Sequence, residues 1–259
     1  MLTLSDEEKQ FVSRLEDRLE RVEERYQEEV TDFLEPRLQL VAEEFLRSRK
    51  FQRYLFCGGY DRAERKRLVL FPEYTEPSCE LGGIRLFRFS GKLDFVSVSH
   101  RDFLGAVMSL GLRRDKFGDL LVTEKGCDLF VQQEVADYLL QNSLRVKHVP
   151  LTAAEVALAE FEPPEQNIKE VNIMVASMRL DTLLANGMGL SRTKAMELIQ
   201  GGRVKVNHSE INKNDYYYPI NHITTTSTYF FPLYSKEKSD VALFYVISSP
   251  KCYFKLAIL

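Results

Sequence analysis

Residues 82–149 read GGIRLFRFSGKLDFVSVSHRDFLGAVMSLGLRRDKFGDLLVTEKGCDLFVQQEVADYLLQNSLRVKHV, and this stretch decides the fold. Ile84 to Val98 is rich in strand formers. Ser99, with Asp102 three residues on, starts a helix whose face is lined by Phe103, Leu104, Val107, Met108 and Gly111. Leu120–Thr123 and Leu129–Val131 read as strands joined by a turn at 124–128. Val131–Leu140 has helical spacing again, and Leu144–Val149 closes as a strand. The order strand, helix, strand, strand, helix, strand predicts a ferredoxin-like domain over 76–151. No aromatic motif of the RNA-recognition type marks a strand, so base stacking on this sheet is not expected.

Upstream, Phe11, Leu15, Leu19, Val22, Tyr26, Val30 and Phe33 recur at spacings of three and four, one apolar helical stripe. Ser5 and Glu8 form a capping box, and Pro36 opens a second helix carrying Leu38, Val41, Ala42 and Phe45. Residues 1–75 are therefore expected to be a helical hairpin followed by a short strand unit around Cys57-Gly58-Gly59-Tyr60. The basic run 61–67 (DRAERKR) reads first as a solvated helix face and second as a binding patch.

Downstream, 152–171 is acidic and broken by Pro163-Pro164, the expected linker. In 172–207, Ser177 caps one short helix with Leu180, Leu183 and Leu184 inward, and Ser191 caps another with Ala195, Leu198 and Ile199 inward. A strand follows in which valines alternate with Arg203 and Lys205. The class expected is α+β: a helical hairpin, a ferredoxin-like middle domain and a small helix-pair-plus-strand module. The tail, 208–259, lacks glycine altogether and holds Tyr216-Tyr217-Tyr218 and Thr224-Thr225-Thr226; Val241–Ile247 reads as a strand.

With 44% hydrophobic and 28% charged residues, the 259-residue chain can bury a core and is not wholly disordered. No apolar run long enough for a membrane span occurs, and MLTLSDEEKQ is no secretory signal. The net charge of −3 hides a gradient: residues 1–50 carry −5, 151–171 carry −4, and 172–207 carry +3. A polyanion partner is thus compatible with the acidic whole. Cys57, Cys79, Cys127 and Cys252 contain no CxxC pair, so neither a zinc knuckle nor a disulfide framework is expected, and a cytoplasmic location is. His100, His148, His208 and His222 lack ligand spacing, so no metal and no cofactor are expected. His100-Arg101-Asp102 resembles a kinase catalytic loop, but Val107 stands where the metal-binding asparagine belongs. Arg179-Leu180-Asp181 resembles the aspartate signature of pseudouridine synthases, but the residues after it depart from that signature; Asp181 is read as a cap or an ion-pair partner.

SMRLDTLLANGMGLSRTKAMELIQGGRVKVN (177–207) resembles the S-four-type RNA-binding module. GGYDRAERKR (58–67) and HRDFLGAVMSLGLRRDKFGDLLV (100–122) resemble the YlmH family of bacterial proteins, and together the likeness spans residues 1 to about 207. The resemblance implies a non-enzymatic protein that binds rRNA of the large ribosomal subunit and tRNA, and acts in rescue and quality control of stalled subunits bearing peptidyl-tRNA. It places Arg179, Ser191, Arg192, Lys194, Arg203, Lys205 and Asn207 on the RNA-facing surface, with Arg65, Lys66, Arg113, Arg114 and Lys116 as weaker RNA-binding candidates. An rRNA-modifying enzyme of the pseudouridine synthase type and a cell-division adaptor are the alternatives. After Asn207 the family's glycines are missing, which leads to the expectation of a shifted reading frame or gene end near residue 208.

Overall fold

The computed structural model describes residues 4–93, 96–163, 169–174, 179–206, 209–210, 213, 230–234, 241–247 and 253–258. Ser177, Asn207, His208, His222, Cys252, 216–218 and 224–226 lie outside them. The chain divides into two compact units at Pro163-Pro164.

In the first unit, α1 (Asp6–Arg25) opens on the expected capping box: Ser5 Oγ accepts from the Glu8 N–H at 3.2 Å, and the Glu8 carboxylate accepts from the Ser5 N–H at 2.9 Å. Phe11, Leu15, Leu19 and Val22 are buried. The stripe then breaks. Tyr26 turns the chain at φ 54°, and Val30 and Phe33 belong instead to a strand, β1 (Glu29–Leu34). Glu29 takes Arg18 and Arg21 of α1, which fold the strand back along the helix. Pro36 starts α2 (Pro36–Ser48), as expected. β2 (Tyr54–Cys57) and β3 (Lys66–Leu70) complete an antiparallel sheet in the order β1-β3-β2.

β3 shows how the layers stack, because alternate residues of a strand face opposite sides. Leu68 and Leu70 pack with Leu15, Leu19, Val41 and Leu46 of the two helices. Val69 and Phe71 pack the other way, onto Ile84, Leu86 and Phe130. These last belong to a second layer, in which a sheet containing β4 (Ile84–Ser90), β5 (Phe117–Thr123), β6 (Gly126–Gln132) and one later strand carries the helices α3 (His100–Ser109) and α4 (Ala136–Gln141). Ser99 and Asp102 form the expected capping box on α3. Phe87, Phe89, Leu129 and Val131 meet Phe103, Val107 and Leu139 on the helical side. Met108, expected on that face, is exposed.

The closing strand is not Leu144–Val149. β7 (Arg145–Val146) and β8 (Val149–Pro150) form a minimal hairpin, with Lys147 at φ 54° in its turn. Leu144, Val146 and Val149 fill the helical core instead of joining the sheet. The fourth strand is β9 (Thr152–Val156), inside the segment expected to be a linker, and Phe161 beyond it is buried against Phe130. The sheet order is β5-β6-β4-β9, antiparallel throughout.

A disulfide joins Cys57 to Cys79, with Cα atoms 5.4 Å apart, against the expectation of no disulfide. The end of β2 and the turn before β4 converge beside Gly82, where an added Cβ would lie 3.2 Å from that of Cys57. Sequence spacing carries no trace of such convergence. Cys127 remains a free, buried thiol, pushed up to about 12 by burial and then by the neighbouring Asp128 carboxylate.

The second unit holds β10 (Lys169–Met174), α5 (Leu180–Met188), α6 (Arg192–Gln200), β11 (Lys205–Val206) and β12 (Ser209–Glu210), followed by β13 (Phe230–Tyr234), β14 (Val241–Ile247) and β15 (Tyr253–Ile258). β11 and β12 pair as a hairpin. β14 has the expected bounds, and the four long strands pair antiparallel in the order β10-β15-β14-β13.

Candidate nucleic-acid interface

The helix pair of the second unit is assembled around Leu180, Leu183, Leu184, Ala195, Ile199 and Val204, all buried. Gly189, at φ 62°, ends α5 and reverses the chain; Ser191 then caps α6, its Oγ accepting from the Lys194 N–H at 3.2 Å. Arg179 occupies the N-cap position of α5, without a side-chain cap; the expected cap, Ser177, lies outside the described residues.

Asp181 lies in the first turn of α5 with its side chain only 1% exposed. Its carboxylate accepts from Arg179 Nε and Nη2, both at 3.1 Å, and from Arg192 Nε at 3.1 Å. Burial alone would raise its pKa; the hydrogen bonds from Arg179 and Arg192 outweigh burial and hold it below the ordinary aspartate value. One carboxylate thereby aligns two cations from different helices. The Arg192 side chain remains 60% exposed and that of Lys194, which meets Glu197 at 3.1 Å, 55%. Arg203 is half-buried, its N–H donated to the Leu198 carbonyl. Lys205 is placed in β11 by its backbone. The structure thus joins Arg179, Ser191, Arg192 and Lys194 on one helix pair, with Asp181 as the link. The signal for that link is in the sequence, an acid two residues after one arginine and eleven before another, but the carboxylate's burial is not.

The five candidates in the first unit are arranged differently. Arg65 reaches the Phe33 carbonyl at 3.1 Å, and burial lowers its pKa. Arg114 donates to the carbonyls of Phe117 and Gly118 at 2.8 and 3.0 Å and lies 4.6 Å from the centre of the Phe117 ring. Burial, and then the nearby Arg65 cation, push Arg114 down to about 10. Lys116 holds Asp32 at 2.6 Å, an ion pair between the two sheets. Arg113 is exposed and pairs with Asp115; Lys66 begins β3, half-buried. Arg62 and Arg101, not singled out from the sequence, are exposed.

The motif 58–67 is built around Asp119. This buried carboxylate accepts from Tyr60 Oη at 2.7 Å and from the N–H groups of Glu64 and Arg65 at 2.7 and 3.0 Å. Gly59 sits at φ 92° with Phe130 against it, so a side chain there would strain the backbone and strike the ring. The run is a tied turn, neither a helix face nor a loose basic arm. On the four-stranded sheet, the face opposite its helices is covered by Phe33, Val69 and Phe71 of the N-terminal sheet. Farther along that face, Arg88 and Asp128 form a bidentate pair at 2.8 and 2.9 Å. Among the described residues, no cluster of metal-ligating side chains occurs and no helix is long and apolar enough to cross a membrane.

Comparison with known proteins gives these positions a context. Residues 7–75 match the family described as "YlmH, N-terminal", 77–160 the "Putative RNA-binding domain in YlmH", and 178–216 the "S4 domain". The chain is 35% identical over 195 residues to "Ribosome-associated protein quality control protein P2" of Bacillus subtilis (strain 168), covering 75% of this chain and 76% of that protein. "Cell division protein ylmH from Streptococcus pneumoniae", a solved structure, superposes with a TM-score of 0.53 at 22% identity, over 62% of this chain and 97% of that one, a likeness of fold. A common N-terminal domain, RNA-binding domain and S4 domain in one order, with this level of identity, make the chain a member of the YlmH family.

Proposed function

We propose that this protein binds RNA of the large ribosomal subunit and tRNA without catalysing a reaction, in the rescue and quality control of stalled subunits that carry peptidyl-tRNA. The observation that carries this reading is the S4 helix pair, where Arg192 and Lys194 stand exposed on a capped helix beside Arg179. Two exposed cations in the first turn of a capped helix, Arg192 held by Asp181, suit the phosphate contacts that hold folded RNA by its shape. Arg203, just before the following strand, and Lys205, in it, join the candidate set, and Asn207, outside the described residues, enters on the family resemblance alone. The relative's name, with its reference to ribosome-associated quality control, supports the target.

The strand order β5-β6-β4-β9 supports reading the middle domain as a ferredoxin-like platform, and its covered face supports a role in orientation more than in base stacking. Arg65, Arg114 and Lys116 serve the joint between the sheets in this reading, which leaves Lys66 and Arg113 as the first unit's candidates for RNA. An enzyme of the pseudouridine synthase type would need Asp181 at the substrate, and a carboxylate 1% exposed between two arginines does not favour that role. The protein acts in the cytoplasm in this proposal, on the strength of the ribosomal target and not of its cysteines, two of which form a disulfide, and it uses no cofactor.

Sedimentation of the purified protein with isolated large ribosomal subunits, at low and moderate salt, tests the proposal. Comigration that weakens as salt rises is expected, because displaced counterions return to the phosphates. Free protein at low salt, with its fold intact, would overturn it. So would comigration unchanged by Arg192→Glu.

A further inference from the structure

We infer that Asp181 is a positioning residue of the RNA grip: it makes a two-arginine phosphate clamp out of side chains that would otherwise point independently. The inference rests on the RNA-binding reading above and adds a residue that does not itself touch RNA. Its basis is geometric. Asp181 is fully buried, yet its carboxylate receives three guanidinium hydrogen bonds of 3.1 Å, two from its own helix start and one from the next helix. Arg192 makes this contact through Nε, which leaves its Nη groups outside that hydrogen bond on a side chain 60% exposed. Thr182 Oγ donates to the same carboxylate at 3.3 Å, fixing its rotation further. A guanidinium held by one edge presents the other edge in a fixed plane, the arrangement that suits bidentate contact with a phosphate.

This role and a purely electrostatic one predict opposite signs. If only charge mattered, an acid among RNA-facing cations would repel phosphate, and Asp181→Asn would tighten binding. If Asp181 positions the arginines, the same substitution loosens Arg192 and Arg179 and weakens binding, by about tenfold, with the salt dependence reduced by about one phosphate contact. Arg192→Lys supplies a second arm on an exposed residue that does not endanger the fold. Its charge is unchanged, but an ammonium that turns to Asp181 has no second edge to offer, so affinity falls several-fold where a charge-only grip would keep it.

The measurement is affinity of the full chain for isolated large ribosomal subunits as a function of salt, for Asp181→Asn, Arg192→Lys, Arg192→Ala and the double variant Asp181→Asn/Arg192→Ala, with thermal melts alongside. Expected are weaker binding in each single variant, and a double variant weaker than Arg192→Ala by less than the Asp181→Asn effect alone. Unchanged or tighter binding by a folded Asp181→Asn protein overturns the inference, as does full affinity in Arg192→Lys. If Asp181→Asn does not fold, the Arg192→Lys result decides. Salt-sensitive binding abolished by Arg192→Glu, together with full affinity in Arg192→Lys, sinks the positioning role while the RNA-binding reading stands.

Discussion

Arg114 and Arg192 belong to equally basic stretches of sequence, and the fold treats them oppositely. Arg114 is drawn into the first unit, where two backbone carbonyls and an aromatic face receive it. Arg192 is fastened at one nitrogen and left 60% exposed. The difference teaches that basic runs in this chain do two jobs. In the first unit, Arg65, Arg114 and Lys116 tie loops and strands together, whereas on the S4 helix pair Arg192 is held at Nε by Asp181 and its side chain stays 60% exposed. A local excess of positive charge is therefore open to the proposed RNA contact only where, as at Arg192, the side chain stays exposed and not bound up by buried carbonyls.

The largest effect that could break this contrast is at Asp119, the inward anchor of the 58–67 turn. Asp119→Ala removes three hydrogen bonds and is expected to destabilise the first unit by about 3 kcal/mol, leaving two N–H groups and a tyrosine hydroxyl to find water. Thermal unfolding should show a midpoint lower by roughly 6–12 °C. A shift within error would mean that the turn is held by other contacts. Arg114→Ala comes next, with an expected loss of about 2 kcal/mol of stability and no change in the salt dependence of subunit binding. Were that salt dependence to fall, Arg114 would join the RNA-facing group and the contrast would fail.

Arg192→Glu should do the reverse, leaving the first unit's melting unchanged and weakening subunit binding by about 10–100-fold. A smaller effect follows from Asp181, whose pKa is lowered in the folded state. It binds its proton more tightly unfolded than folded, so its contribution to stability is complete above about pH 4 and is lost as pH falls through the lowered value. Acid titration of the wild type should therefore show a loss of second-unit stability below about pH 4 that Asp181→Asn lacks. Identical acid profiles would remove the ion pairs from the account. The smallest effect is at Lys194: its exposed pair with Glu197 is worth less than about 0.5 kcal/mol, so Lys194→Ala should leave the melt alone and lower only the salt slope, by about one.

What was legible in the sequence is local. Ser5 with Glu8 and Ser99 with Asp102 announce helix starts because a cap and an acidic acceptor lie three residues apart, and Ser191 because its hydroxyl accepts from the Lys194 N–H three residues on. Val30 and Phe33 fit the helical stripe arithmetically, and only pairing with β3, more than thirty residues away, makes them a strand. Leu144 to Val149 is apolar enough for a strand, but the Lys147 turn and Pro150 hand the sheet position to Thr152–Val156. At the candidate interface, the helix pair and its cations were legible from spacing and resemblance. The inward turn of Arg65 and Arg114 was not, because their receiving groups are backbone carbonyls, which every sequence possesses.

The Cys57–Cys79 bond closes a ring that contains residues 58–78, and the junction between the N-terminal match, ending at 75, and the RNA-binding match, beginning at 77, lies inside it. A single peptide-bond cut anywhere in that ring would leave one covalent molecule, and only reduction would part the two pieces. The border between two recognisable sequence families is thus a place where this oxidised chain can be nicked without being divided.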